Sequence, residues 1–521
     1  MAQIGIDFGT TNSLIVAYDK NRNQFSYFNF DKYNTTQPIP TSSTVWYHDQ
    51  SKIIGSEARE NINRYAGIEG HHFEKSIKLK LGQEYGVNIF GKTGQPHSIA
   101  ADILRHIKRV AIDEWKADKA GVDVNRAIFT VPINFNGIQR KSLRKAAQEA
   151  GIEVTTFIHE PFAAIVGYFF TKETANSKQN VITELENLDG KYLLTFDWGG
   201  GTLDITVVKV ENGKMIEIGT AELTGKAGDK FDEDIAKWAW SKFLNKYGSK
   251  YSEPFLEQKR KDNWDKMLAM AEYCKITLST SKNTQFIVRN IIDNNDISEE
   301  ITRADFEKLI ENTLLDACNE IDKAIKEAHI GDINIDQVLL TGGTCYIPAV
   351  QEKLKEKFGH KVNTVNNAEL LIAQGAAVIS EMGWLPFLTK DISIQLSDDS
   401  LYPIFEKNTN IAADKEAKKS EDLVCCDNRG GSAKIIIVEG SGQRKDRNLI
   451  VIKVPVLNDS KFNDDIKLDA IIDRDIILKI SARSLMVRGY KQPEEEYSVR
   501  KEAEVHQLCF GLDFKGGGEN E

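Results

Sequence analysis

A strand–turn–strand pattern that occurs twice limits the possible folds of this chain more than any other feature. Ile4-Gly5-Ile6-Asp7-Phe8-Gly9-Thr10-Thr11-Asn12-Ser13-Leu14-Ile15-Val16-Ala17 reads as two apolar strands joined by a tight turn of Gly and hydroxyl residues. Leu193-Leu194-Thr195-Phe196-Asp197-Trp198-Gly199-Gly200-Gly201-Thr202-Leu203-Asp204-Ile205-Thr206-Val207-Val208 repeats strand, Asp-x-Gly, Thr and strand. The copies lie too far apart to form one local hairpin, so the pattern predicts a duplicated fold whose halves grip one polyphosphate. Gly lets backbone N–H groups approach an anion closely, and the hydroxyls of Thr10 and Thr11 add neutral donors. An Asp inside an apolar strand is costly unless it is paired, hydrated or near a cation. Asp7 is therefore a candidate to organise the water shell of Mg2+.

A third glycine turn, Val338-Leu339-Leu340-Thr341-Gly342-Gly343-Thr344, runs from a strand towards a helix with Pro348 near its start. That geometry suits backbone contact with the nucleoside end of the same ligand. None of the three turns is a Walker P-loop, because none of them carries the G-x-x-x-x-G-K-[ST] string.

The organisation around these turns is legible. Up to about Leu388, strand-like and helix-like segments alternate, as expected of an α/β architecture with helices covering largely buried sheets. Ile99, Ile103, Ile107, Val110 and Trp115 share one helical face, and Thr302-Arg303-Ala304-Asp305 is a capping box opening a helix with Phe306, Leu309, Ile310 and Leu314 on its apolar stripe. Gly151 and Pro161 mark a helix end and a helix start. Beyond Leu388 the runs Lys434 to Gly440, Leu449 to Leu457, Ile466 to Ile472 and Ile476 to Ala482 are β-branched and separated by polar turns, which predicts an antiparallel β unit. The Glu-rich stretch from Pro493 to Val505 reads as a helix, and the terminal residues 511–521, with three consecutive glycines, as a disordered tail.

Composition narrows the function classes. With 521 residues the chain can hold several cores, and its formal charge of −10 and pI near 5.6 argue against a general nucleic-acid surface. No apolar run approaches the ~20 residues of a membrane-spanning helix, and the start lacks a charged segment followed by an apolar one, so a cytoplasmic setting without membrane or nucleic-acid partners is expected. Cys274, Cys318, Cys345, Cys425, Cys426 and Cys509 show no C-x-x-C spacing and predict neither a zinc site nor a disulfide framework. Adjacent Cys425 and Cys426 read either as two thiols in a strand or loop or as a redox pair.

At the level of residues the chain resembles the DnaK-type, seventy-kilodalton heat-shock chaperones, which share the actin-like ATPase fold with sugar kinases and actin. The carrying segments are Ile4 to Ser13, Asp197 to Ile205, Val338 to Pro348 and Gly375-Ala376-Ala377-Val378, with Phe129-Thr130-Val131-Pro132-Ile133-Asn134-Phe135-Asn136-Gly137-Ile138-Gln139-Arg140 and His159-Glu160-Pro161-Phe162-Ala163-Ala164 above all. These last two strings distinguish the chaperones from the kinases and actin. The resemblance implies a two-lobed actin-like (ribonuclease H-like, duplicated) nucleotide-binding domain over 1–382, with the second lobe from about 190. A linker over 383–390 and a peptide-binding-like β-sandwich over 391–510 would follow.

By position, the resemblance implies that Thr10, Thr11, Asn12, Gly199, Gly200, Gly201 and Thr202 surround the phosphates, and that Asp7 and Asp197 stand around hydrated Mg2+, with K+ a second candidate cation. Lys78 matches the catalytic lysine, and Glu160 and Asp204 match carboxylates that orient the attacking water. Phosphoryl transfer depends on positioning and on neutralising phosphoryl charge, which an ammonium and Mg2+ would supply. Asp197 and Lys78 could instead form a structural ion pair. Gly228, Glu272, Lys275, Ser279, Gly342, Gly343, Thr344, Tyr346 and Glu369 match nucleoside contacts, with Tyr346 where the family usually has an Arg stacked on adenine and Glu369 in place of an Asp. Pro132 and Arg140 match positions that transmit nucleotide state, although from sequence alone they read equally as a rigid turn and a surface Arg.

Other departures from the family fall on the regulatory side. Thr156 replaces a basic residue that receives the J-domain cochaperone, and Pro386 interrupts a linker that lacks the usual Leu-Leu-Leu-Asp. Glu439-Gly440-Ser441 replaces the usual Q-G-E, and no helical lid follows the β unit. The reading is an ATP-dependent chaperone that hydrolyses ATP slowly to control binding of unfolded or extended polypeptides, served by a J-domain cochaperone and a nucleotide-exchange factor. A nucleotide-switched scaffold or dedicated-partner protein, or a small-molecule kinase of the same superfold, are the alternatives.

Overall fold

The structure is a computed structural model, and it describes residues 2–28, 40–66, 68–89, 92–118, 120–171, 178–365, 367–411, 416–427, 429–440, 446–457, 464–490 and 496–515. The fold class is α/β: two lobes built on similar sheets, followed by an antiparallel β-sandwich.

In the first lobe, β1 (Ala2–Phe8), β2 (Asn12–Asp19), β3 (Gln24–Tyr27), β4 (Val122–Val131) and β5 (Glu153–His159) form a sheet in the order β5–β4–β1–β2–β3, with Thr41–Ser42 also pairing to β2. Helix α1 (Ser56–Tyr65) lies on an excursion from it, α2 (Gly137–Glu149) connects β4 to β5, and α3 (Glu160–Thr171) leaves the end of β5. The second lobe repeats the plan with β6 (Tyr192–Trp198), β7 (Thr202–Glu211), β8 (Lys214–Thr224), β9 (Gln337–Thr341) and β10 (Val362–Asn363), in the order β10–β9–β6–β7–β8. In both sheets the hairpin pairs antiparallel and its first strand pairs parallel with the next. The second lobe carries α4 (Gly228–Tyr247), α5 (Trp264–Thr280) and α6 (Leu371–Met382).

Helices α3 and α6, equivalent in the two halves, cross at glycines. A Cβ on Gly375 would sit 1.8 Å from the Ala163 carbonyl oxygen, and one on Gly167 would sit 2.0 Å from that of Leu371. Only backbones without side chains approach so closely. The crossing packs Phe162, Ile165, Val166, Ala376 and Ile379 into one buried cluster, which places both hairpin turns on the same cleft.

The chain then runs through β11 (Leu385–Leu388) into two four-stranded antiparallel sheets. One holds Leu401–Phe405, Ile392–Gln395, Ser432–Glu439 and Arg447–Pro455; the other holds Ala417–Cys425, Asp464–Ile472, Leu478–Tyr490 and Glu496–Val505. Ile435, Ile437, Leu468, Leu478 and Ile480 meet in their shared core. Finally β12 (Phe510–Asp513) leaves the sandwich and lies between β8 and β11, completing the second-lobe sheet as β10–β9–β6–β7–β8–β12–β11.

Three expectations are corrected here. Glu496–Val505 is a strand rather than a helix: Ala503 and Val505 turn inward between exposed Glu502 and Glu504, and pairing with Leu478–Tyr490 overrides the helical preference of Glu. Residues 493–495 lie outside the described residues. The tail expected over 511–521 is ordered through Lys515, because Phe510, Leu512 and Phe514 alternate and bury; 516–521 lie outside the described residues. Within the segment expected as a linker over 383–390, Leu385–Leu388 form β11, with Pro386 on an edge strand, where a missing N–H is tolerated. Trp115 falls beyond the helix Pro96–Asp113 and is exposed.

The Thr302 capping box forms as expected, with its hydroxyl accepting from the Asp305 N–H. Cys425 is buried and its neighbour Cys426 exposed, and both are free thiols. Among the described residues, no helix is long and apolar enough to cross a membrane.

Candidate functional site

The two hairpin turns face each other across a cleft of about 590 Å³ between the lobes. A Cβ on Gly200 would stand 2.1 Å from Thr11 Oγ1, and one on Gly201 would stand 3.2 Å from Thr10 Cγ2, so glycine is what leaves space between the turns. Thr11 Oγ1 is buried without a hydrogen-bond partner among the described residues. An orphaned hydroxyl beside two Gly-rich turns fits an anion with several acceptor oxygens. Gly200→Val fills that space, so ATP binding measured by calorimetry is expected to weaken by about tenfold or more, roughly 1.4 kcal/mol, with the melting temperature retained.

The cleft floor carries the charge. Lys78, in the 3-10 turn Ile77–Lys80, donates from Nζ to Glu160 Oε1 at 2.7 Å, and both side chains are nearly buried. Asp197 lies directly opposite Asp204 across the β6–β7 hairpin, an unfavourable like-charge pairing. Asp7 accepts from Thr130 Oγ1 at 3.3 Å, and Asp204 from Thr202 Oγ1 at 2.8 Å. Loss of water lifts Asp7 to about 6, against the pull of Lys78 and with a push from Glu160. Burial and then the charge of Glu160 raise Asp204 to about 7; Asp197 is driven well above the carboxylate range by burial and by Glu160, Asp204 and Asp7. Burial alone would lower Lys78, but Glu160 and Asp7 outweigh it and hold the ammonium charged. One cation thus faces four carboxyl groups. Asp7 and Asp197 both lie on the cleft floor, where a cation that keeps its own waters would fit the surplus of acidic groups.

The other end of the cleft is set by the second lobe. Lys275 on α5 is held by the Gly228 carbonyl at 2.8 Å and by Asp232, whose own carboxyl burial lifts to about 7 against the pull of Lys275. Thr344 Oγ1 donates to the Gly199 carbonyl at 2.8 Å, tying the third glycine turn to the second. Gly342 has φ +81°, and a Cβ there would meet the Trp198 carbonyl oxygen at 2.5 Å. Gly343, Ser279 and Glu369 also line the cleft.

Tyr346 is the exception among the expected nucleoside contacts. It is absent from the cleft lining; its hydroxyl donates to Glu369 and accepts from the Ala368 N–H at 2.7 Å. The ring is thereby held against the Glu369 turn. Sequence reasoning missed Arg59, whose guanidinium on α1 bonds Glu272 on α5 and bridges the lobes across the cleft mouth, with Nε–Oε2 at 3.1 Å. It also missed Asp229, whose N–H donates to the Gly200 carbonyl at 2.8 Å. No local signal marks Arg59, because its partner lies 213 positions away.

The sequence profile of the Hsp70 protein family matches residues 3–508, nearly the whole chain. The chain belongs to the Hsp70 family. It is similar to two curated proteins named chaperone protein DnaK. That of Mycoplasma mycoides subsp. mycoides SC is 30% identical over 423 residues, and that of Mycoplasma mobile is 29% identical over 429 residues. Each match covers 79% of this chain and 65% of the relative, so the chain spans less than two thirds of the relatives' length.

Within this Hsp70-family chain, the two positions expected to transmit state sit differently. Pro132 lines the cleft, at the end of β4. Arg140 is not a surface residue: it is 1% exposed, on α2 under the sandwich turn 473–477. Its guanidinium donates to the carbonyls of Asp475 (2.7 Å), Ile476 (3.1 Å), His506 (3.2 Å) and Phe135. Arg144 adds an ion pair to Asp475 at 2.6 Å. Ile476 has φ +56°, an uncommon conformation for a β-branched residue, held by Asp473 accepting from the N–H groups of Asp475 and Ile477. Thr156, the position tied to J-domain contact, is buried within β5.

Proposed function

We propose that this protein binds ATP with Mg2+, hydrolyses it slowly, and uses the bound state to govern how its β-sandwich holds unfolded or extended polypeptide. The observation that carries this reading is the convergence of two Asp-Gly-Thr turns and the Lys78–Glu160 pair on one interlobe cleft. The glycine turns and Thr11 would take the phosphates. Asp7 and Asp197 would hold Mg2+ through water, and the ion would supply positive charge to the phosphoryl oxygens. Lys78 supplies a further fixed positive charge, and Glu160 and Asp204 orient the attacking water and receive its proton. Positioned charge of this kind accounts for most phosphoryl-transfer catalysis.

Polypeptide binding is supported by the family and by the sandwich, whose surface exposes Leu396, Val424, Val451, Leu485 and Met486. Strand-like recognition of an extended segment combines main-chain hydrogen bonds with apolar contacts. A J-domain cochaperone and an exchange factor belong to the same reading, with the J-domain contact made without a basic side chain at Thr156.

The test is steady-state ATP turnover with and without an unfolded apolar peptide. Slow turnover that rises with peptide is the expected result. Turnover indifferent to every peptide would move the sandwich towards one dedicated partner, and ATP-dependent sedimentation would then mark the scaffold alternative.

A further inference from the structure

We infer that Phe510, on the strand that follows the sandwich, is a positioning residue for Glu160, acting through the ring of His159 and coupling sandwich attachment to the cleft. This rests on the ATPase reading above. Phe510 lies beyond residue 508, where the family match ends.

Strand β12 occupies an edge that an extended segment fits closely. It pairs antiparallel on one side with β8 (Met215 opposite Leu512) and on the other with β11 (Pro386 opposite Leu512, Leu388 opposite Phe510). A Cβ on Gly511 would meet the Met215 carbonyl oxygen at 2.5 Å and the Phe387 ring at 2.8 Å, so no other residue sits there without moving the strand. Phe510 and Leu512 are buried on opposite sides of this glycine.

The strand touches both ends of the molecule. Towards the sandwich, the Cys509 N–H donates to buried Glu439 Oε1 at 2.8 Å, and Arg447, paired with Glu439, donates to the Gln507 carbonyl at 2.9 Å. Towards the cleft, the Phe510 ring lies 3.8 Å, centroid to centroid, from the imidazole of His159. His159 is 2% exposed, has no hydrogen bond on either ring nitrogen among the described residues, and immediately precedes Glu160. The imidazole is held by packing against Phe510 and Phe162, the latter at 5.8 Å, with the Glu217 carboxyl 3.6 Å from Nδ1, beyond hydrogen-bond reach. Burial keeps the ring neutral, so it serves as a wedge between Phe510 and the start of α3. Withdrawal of β12 would free the ring and loosen the backbone that aims the Glu160 carboxylate at Lys78.

The experiment compares full-length wild type, Phe510→Ala, Phe510→Leu and Gly511→Val by ATP turnover and by amide hydrogen exchange. Phe510→Ala is expected to lower kcat on the order of tenfold, short of the ~10²-fold that a displacement of about 1 Å costs. KM for ATP should hold, because the phosphate and nucleoside contacts lie elsewhere. Phe510→Leu should recover most of the loss, and Gly511→Val, which expels the strand, should match or exceed Phe510→Ala. Exchange should accelerate at 157–162 and 385–388 in both disruptive variants. Unchanged kcat together with unchanged exchange at 157–162 would overturn the inference, as would an equal change in KM and melting temperature with no kcat effect. If wild type and Lys78→Ala hydrolyse ATP equally, the ATPase reading fails, and unchanged exchange at 157–162 in Phe510→Ala still decides against the coupling.

Discussion

Lys78→Ala is expected to lower ATP turnover by about 10²- to 10³-fold, the loss typical of removing one preorganised group that stabilises developing charge. Among the described residues Lys78 is the ammonium set among Asp7, Glu160 and Asp197, and its 2.7 Å bond to Glu160 fixes both partners. ATP affinity should change far less, because the glycine turns, Thr11 and the Lys275 side of the cleft remain. The variant also leaves buried carboxylates without their cation. Carboxyls already raised by burial can take up protons, so the protein should stay folded near neutral pH with a lower melting temperature. Single-turnover hydrolysis and equilibrium nucleotide binding, measured on one preparation, separate the two effects. Loss of binding in step with turnover would place Lys78 in ground-state recognition instead.

Arg140→Ala is expected to undock the sandwich. Four backbone carbonyls share this buried guanidinium, three of them from the sandwich and the segment after it. Burial lowers Arg140 to about 10, against the pull of Asp475 and Asp473, so the group is charged at neutral pH. Truncating one partner of a buried, charged hydrogen-bond set costs about 2–5 kcal/mol, comparable with what an interface between domains of one chain can spare. The radius of gyration from small-angle scattering should rise, and any peptide response of ATP turnover should fall, while basal nucleotide binding persists. Arg140→Lys should rescue poorly, since one ammonium cannot reproduce the planar fork that reaches carbonyls in several directions. An unchanged radius with intact peptide response would show that Arg144, the Gly137 N–H bond to His506 and apolar packing suffice for docking.

Some parts of this protein were legible from residue order alone because their physics is local. The strand–Gly turn–strand signature depends on neighbours a few positions apart, and its two copies implied the duplicated sheets in which β1–β2 and β6–β7 hold equivalent places. The Thr302 capping box and the apolar runs of the sandwich are local in the same sense. The glycine turns, Lys78 and Glu160 came from motif and family resemblance, and they line one cleft.

What only the tertiary structure decided depends on partners distant in sequence. Arg140 is a surface residue by type, and becomes the buried anchor of the sandwich because carbonyls more than 300 positions away turn towards it. Glu496–Val505 carries helix-favouring glutamates, yet a neighbouring strand's hydrogen bonds outweigh propensities of a few tenths of a kcal/mol per residue. The hydroxyl of Tyr346 bonds Glu369 and the Ala368 N–H, partners 23 and 22 positions away that no local pattern marks. The segment after the sandwich looked like a tail because isolated alternation of Phe510, Leu512 and Phe514 has no value until a sheet edge accepts it. Between β8 and β11 that edge exists, and burial of those side chains makes the strand.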